Sequence, residues 1–404
     1  MDLKLSVDYY NAAEKTLFQS YPNFAALSGI LNREILISEA EFVSYMMFTE
    51  QADEDGWRTY PELKDRVQNR LGDIEDILDF SKGSIQSKQS SQRMNASKMT
   101  ERIGVSLGIN VVNKFHGLTE ADWAITDDVY IGGKRIKDFD YEIPIASDGT
   151  KFIQVENKGA VIDDNSYKTP SVSEHYSSIK AKKNSILARE QAQGIPRHQN
   201  VYYGTIGVLD SQNTAKVWLV DPPAFEVEWN PIKFKLISRL IYYSKVFSEI
   251  GIHNRFQIAL DKRIHQLFTA KDINEFNRVP LDVPLKTYTY IKNNNFVNIN
   301  NTEAIGTFFF INSNEVFLLA LTKVIIRLVL LQNFDGILEY DYKNAELSDK
   351  VIIELSAKLS KASEEFEFTK TKFVLDESRK RYFYQAYQEI GFTSSGRIFG
   401  KIKN

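Results

Sequence analysis

The chain contains no cysteine. That excludes disulfides, thiolate zinc sites, iron–sulfur clusters and cysteine nucleophiles together, and a cytoplasmic setting is the expectation. Histidine is scarce as well. His116, His175, His198, His253 and His265 stand with no pair at helical ligand spacing, so neither a zinc centre nor a His-Asn-His nuclease cluster is expected. Gly204 and Gly207, in Tyr203-Gly204-Thr205-Ile206-Gly207, are too few and too badly placed for a nucleotide-binding loop. No apolar run is long enough to cross a bilayer: residues 316–331 are interrupted by Lys323 and Arg327 and read as a buried helix. Asp2, Lys4 and Asp8 break any export-signal core at the start of the chain, so no membrane partner is expected. Charge of one sign is also missing, with 50 basic residues against 53 acidic ones.

What is present is the balance of a folded protein, with 43% hydrophobic and 25% charged residues. The 404 residues exceed one ordinary core, and two domains are the working expectation. Residues 1–82 read as a helical N-terminal region, with Ile74, Ile77 and Leu78 at helical spacing. Residues 83–98, rich in Ser and Gln, read as a polar loop or linker. Residues 99–228 alternate helix and strand and read as the core, and residues 229–404 as an α+β C-terminal region serving target recognition or oligomerisation. A helix is expected from Met99 toward Phe115, with a strand from Ile109 as the alternative because β-branched residues are frequent there. Hairpin turns are expected at Gly132-Gly133 and at Ser147-Asp148-Gly149, and a helix without Gly or Pro over residues 172–193.

Two segments are locally basic. Lys82, Lys88, Arg93, Lys98 and Arg102 face only Glu101, and Lys168 to Arg197 includes Lys180, Lys182 and Lys183. Arg93, Lys98, Lys180, Lys182 and Lys183 are therefore the candidate nucleic-acid contacts. Arg379-Lys380-Arg381 runs into Tyr382-Phe383-Tyr384 and interleaves base with aromatic in a similar way, while the turn from Ser394 to Arg397 is a further backbone contact candidate.

The chemistry concentrates in Asp138-Phe139-Asp140-Tyr141-Glu142 and in Gln154-Val155-Glu156-Asn157-Lys158. On a strand, alternate side chains share a face, so Glu156 and Lys158 emerge together, as do Asp138, Asp140 and Glu142. Hydrolysis of a phosphodiester calls for a divalent ion, two carboxylates supply the hard oxygens that Mg²⁺ prefers, and a lysine beside them orients water and offsets charge. Asp140 and Glu156 are separated by a span that one hairpin closes. Gln154, two residues before Glu156, is a candidate for holding a water near the ion.

These residues resemble the signature of the PD-(D/E)xK nuclease superfamily, an acid on one strand and Glu-x-Lys on the next. The resemblance spans residues 99–222 and implies a restriction-endonuclease-like fold, a mixed β-sheet core flanked by helices. It implies Asp140, Glu156 and Lys158 as catalytic residues and Glu101, from the helix ahead of the sheet, as an assisting acid. Asp140 and Glu156 would bind Mg²⁺, or Mn²⁺ in its place, with Asp138 replacing or supporting Asp140. The family's proline before the first acid is absent, since Lys137 precedes Asp138 and Phe139 precedes Asp140. The implied activity is a Mg²⁺-dependent DNA endonuclease, acting on double-stranded DNA as a type II-like restriction or other phage-defence enzyme. A homodimer would suit cutting of both strands. The alternatives are a non-catalytic nucleic-acid-binding or assembly protein with a nuclease-like sheet and, more remotely, a glycoside hydrolase using Asp140 and Glu156 as acid and base. No tryptophan neighbours the motif to favour the last.

Overall fold

In the computed structural model, Leu3, Leu5, Val7 and Tyr9 point to one side of an extended segment and are buried there, while their neighbours face outward. This period-two pattern makes a strand, β1 (Asp2–Tyr9), where the sequence reading expects helix. The structure describes residues 1–19, 34–49, 60–91, 97–125, 129–131, 134–136, 138–144, 151–194, 201–220, 232–252, 254–284, 296–312, 315–342, 351–356, 374–376, 381–386 and 390–403. Arg93, both glycine-containing turns, Arg379, Lys380, His198 and His253 lie outside them. Two units emerge, Met1–Gly56 with Asn69–Lys235, and Trp57–Gln68 with Leu236–Asn404.

After β1 come α1 (Ala12–Gln19), β2 (Glu34–Ser38), α2 (Glu39–Phe48), α3 (Tyr60–Ile77), β3 (Leu78–Asp79) and β4 (Gln86–Ser87). The expected polar linker is in part packed structure. Ile85 is fully buried, Ser84, Gln86 and Ser87 are nearly so, and the Ile85 carbonyl accepts from Ala215 N at 2.8 Å. Polar side chains alone suggested a loose segment; the backbone hydrogen bonds that tie it down are invisible in composition.

The chain continues with α4 (Ser97–His116), β5 (Ala124–Ile125), β6 (Val129–Ile131), β7 (Lys134–Ile136), β8 (Tyr141–Pro144), β9 (Phe152–Val161), α5 (Pro170–Gln193), β10 (Val201–Leu209) and β11 (Lys216–Val220). Helix, not strand, prevails at Ile109. From Ile103 to Asn113 α4 is buried on every side, which explains its imperfect amphipathic pattern. Among the described residues a seven-stranded sheet runs β2-β1-β11-β10-β9-β8-β5. It is mixed, since β1/β11 and β9/β10 pair parallel and the other neighbours antiparallel. The helix α5 makes the crossover between β9 and β10. It carries Pro170 in its first turn, ends at Gly194 with φ 66°, and buries Val172, Ile179 and Ile186. The fold is thus mixed α/β, with the N-terminal strands belonging to the central sheet.

The second unit contains α6 (Ile232–Glu249) from Leu236 onward, α7 (Asn254–Thr269), β12 (Phe296–Ile299), β13 (Thr302–Asn312), β14 (Glu315–Thr322), α8 (Lys323–Leu330), α9 (Phe334–Leu338), β15 (Val351–Ser356), β16 (Val374–Asp376), β17 (Arg381–Ala386), β18 (Gly391–Phe392) and β19 (Arg397–Lys403). Among the described residues it has an eight-stranded antiparallel sheet. The apolar run expected as one helix is split. β14 takes Glu315–Thr322, because pairing between β13 and β19 buries it on both faces, and α8 begins at Lys323. The turn before β19 is not a surface contact: Thr393, Ser395 and Arg397 are buried, with Arg397 3.3 Å from the buried Glu249.

α4 lies against β9 at backbone distance. A Cβ on Gly104 would stand 2.5 Å from the Lys158 carbonyl carbon, and one on Gly159 would collide with the Thr100 carbonyl oxygen. Gly104→Ala is therefore expected to destabilise the fold by about 1–3 kcal/mol through overpacking, measured as a lowered urea midpoint against wild type. An unchanged midpoint would show that α4 can move off β9 without cost.

Candidate active site

The register of β8 on β9 builds the site. Tyr141 pairs with Val155 and Glu142 with Gln154, so Asp140, one residue before β8, stands opposite Glu156. The Asn157 N–H donates to Asp140 Oδ2 at 3.2 Å and fixes it there. β9 forms because Phe152, Ile153 and Val155 are buried apolar residues suited to a central strand. The same strand carries Glu156, 1% exposed, into the protein.

A buried carboxylate must be paired, and Glu156 has two partners. Lys158 Nζ lies 2.7 Å from Oε1, and Lys182 Nζ, reaching over from α5, lies 2.5 Å from Oε2. The same Lys182 ammonium is 3.6 Å from Asp140 Oδ1. Two carboxylates thus converge on one cation, with a second lysine beside them. Burial, and next the Glu156 carboxylate, push the Asp140 carboxyl up to about 7 against the opposing pull of Lys182, Lys158 and the Asn157 N–H. Burial alone would lower the Lys158 ammonium, but Glu156, Asp140 and the charge of Glu101 hold it above its usual value. It is a cation at neutral pH, not a base.

The remaining candidates separate. Glu101 is exposed on α4, near enough for its charge to act on Lys158 and Tyr141. Asp138 does not join Asp140 at Lys182: its side chain accepts from the Phe139 N–H and lies 3.7 Å from Arg189. Gln154 is buried on the Glu156 face and donates through Nε2 to Glu142 at 3.1 Å, while its buried Oε1 has no hydrogen-bond partner among the described residues. The three lysines of α5 do not form one phosphate-tracking face. Lys180 pairs with the buried Glu14 at 3.3 Å, and Lys183 lies over the Tyr202 ring. Lys182 reaches both Asp140 and Glu156, a role that the basic run did not disclose. Lys98 is exposed in the first turn of α4.

No family model, curated protein or solved structure matches the chain. Among the described residues no three Asp, Glu, His or Cys side chains converge as a ready-made metal cage, and no helix is long and apolar enough to cross a membrane. The donor set present still fits Mg²⁺ or Mn²⁺. Such ions use one or two carboxylates and fill their other positions with water and substrate oxygens, and the unpartnered Gln154 Oε1 is a further neutral oxygen on the same strand face.

The raised Asp140 carboxyl predicts a pH signature for the metal-free protein. Between the ordinary value of 3.8 and about 7 the folded state holds a proton that the unfolded state has lost, so stability falls as pH rises through that window. Solvent reaching 35% of the side chain limits the amplitude. Asp140→Asn is expected to flatten this part of the profile in thermal melts taken at pH 5 and pH 8, and an unaltered slope would show that Asp140 titrates normally.

Proposed function

We propose that the first unit is a metal-dependent nuclease that hydrolyses phosphodiester bonds at Asp140, Glu156 and Lys158. The observation that carries the reading is the meeting of Asp140 and Glu156 at one cation, Lys182 Nζ, with Lys158 hydrogen-bonded to the same glutamate. Two carboxylates from adjacent strands and a lysine two residues beyond the second make a donor arrangement suited to this chemistry. The order helix, antiparallel strands, crossover helix and parallel strand, formed by α4, β8, β9, α5 and β10, supports a restriction-endonuclease-like reading of the core by analogy.

Asp140 and Glu156 would hold Mg²⁺, or Mn²⁺ in its place. A bound divalent ion supplies charge neutralisation at the scissile phosphate and lowers the pKa of water. The Lys158 ammonium donates a hydrogen bond to the attacking water and faces the charge that builds on the phosphate oxygens. Water oxygen bonds to phosphorus in line as the bond to the 3′ oxygen breaks. The proton released by the water passes to solvent, and the 3′ oxygen takes one up. The proposed substrate is double-stranded DNA, cut by a type II-like restriction or other phage-defence endonuclease, with a two-fold homodimer as the form that would cut both strands.

One observation favours a non-catalytic reading. Two carboxylates facing two lysines form a closed charge balance, and a buried ionic network of this kind also serves structure alone. Cleavage of supercoiled plasmid in Mg²⁺, Mn²⁺ or EDTA separates the two. Wild type should cut only with metal, and Glu156→Ala and Lys158→Ala should each lower the rate by roughly 10²–10³-fold while keeping a native circular-dichroism spectrum. DNA binding without cutting under every condition would establish the non-catalytic reading, and cutting that survives both substitutions would place the chemistry elsewhere.

A further inference from the structure

Lys158 and Lys182 hold the same glutamate in different ways. Lys158 comes from β9 itself, two residues beyond Glu156, and lies 2.7 Å from that carboxylate. Lys182 comes from α5 and touches both acids. Its ammonium stands between the two acids that would hold a divalent ion. An added divalent ion would put three cations around two carboxylates, and like charges at such distances repel strongly in a poorly solvated site. The cation that must leave is the one whose place is taken. Lys182 can do so, because four methylenes join its ammonium to the helix.

The displaced ammonium needs a new anion. Its side chain is only 18% exposed, and the ammonium lies 6.0 Å from the centre of the Phe139 ring. Among the described residues, two further acids on or facing α5 already hold other groups: Asp138 lies 3.7 Å from Arg189, and Glu190 accepts from Tyr202 Oη at 2.9 Å. An anion that arrives at the same place as the divalent ion is the phosphate diester itself. We propose that Lys182 is a substrate ligand, resting on the Asp140–Glu156 pair until a divalent ion takes that position and then binding a non-bridging oxygen of the scissile phosphate. This assigns Lys182 a second contact beyond Lys158 and rests on the nuclease reading above.

The test uses the full chain, wild type and Lys182→Gln, with Asp140→Asn as the control for the metal site. Mn²⁺ binding without DNA is followed by electron paramagnetic resonance, and binding of a duplex oligonucleotide in Ca²⁺ is followed across a range of salt concentrations. Lys182→Gln should bind Mn²⁺ roughly five- to a hundredfold more tightly than wild type, since a competing cation is gone. It should bind duplex less tightly, with the logarithmic salt slope reduced by about one. If wild type binds no Mn²⁺ that Asp140→Asn abolishes, the nuclease reading itself falls. If wild type binds Mn²⁺ there but Lys182→Gln binds it no more tightly, the ammonium does not occupy the ion's place. Tighter Mn²⁺ with an unchanged salt slope would make Lys182 a plug without a substrate contact, and either of the last two results overturns the proposal.

Discussion

Glu156 is a carboxylate taken almost wholly out of water, and much of the first unit follows from keeping it there. A charge in that position is tolerated only where cations and donors surround it. Lys158 on its own strand and Lys182 on the crossover helix answer that demand. The helix must then lie across the sheet at one height, which the buried stripe Val172, Ile179 and Ile186 secures. Asp140 is brought into the same field by the β8–β9 register and is pushed toward neutrality by it. A site held together by mutual compensation responds to any change of charge as a whole.

The acid pair and Lys158 were legible because strand alternation is a local property. Once residues 152–158 are read as extended, the shared face of Glu156 and Lys158 follows, and a single turn brings Asp140 across. The separation of Asp138 from Asp140 was not legible in the same way, since simple alternation puts both on one face. Asp138 lies 3.7 Å from Arg189 on α5 instead, a partner distant in sequence. Lys182 shows the same limit. In the sequence it is one of three lysines within a basic helix, and only the crossing of α5 over β9 singles it out.

The sequence reading errs at the chain's start and in its second half for different reasons. Residues 2–9 alternate plainly, but the helical periodicity of residues 74–78 coloured the whole region. The run over residues 316–331 is apolar enough for helix or for a strand buried on both faces. Periodicity cannot separate those states, and pairing with β13 and β19 settles them. Ser84 to Ser87 look soluble by composition yet are enclosed, because hydrogen bonds of the backbone carry no compositional mark.

The place of β1 in the sheet has a bearing on how the unit assembles. Ser6 lies beside Lys216 and Tyr9 beside Leu219, in a parallel pairing that no local turn can make. β1 can zip early onto β2, with which it is antiparallel, but that pair stays outside the sheet until β11 is in position. Closure of a contact so distant along the chain carries a large loop entropy and slows folding. Until then the open edge of β11 is exposed to pairing with other molecules. The first unit thus joins distant stretches of its chain through β1, a contact whose loop entropy weighs against early closure.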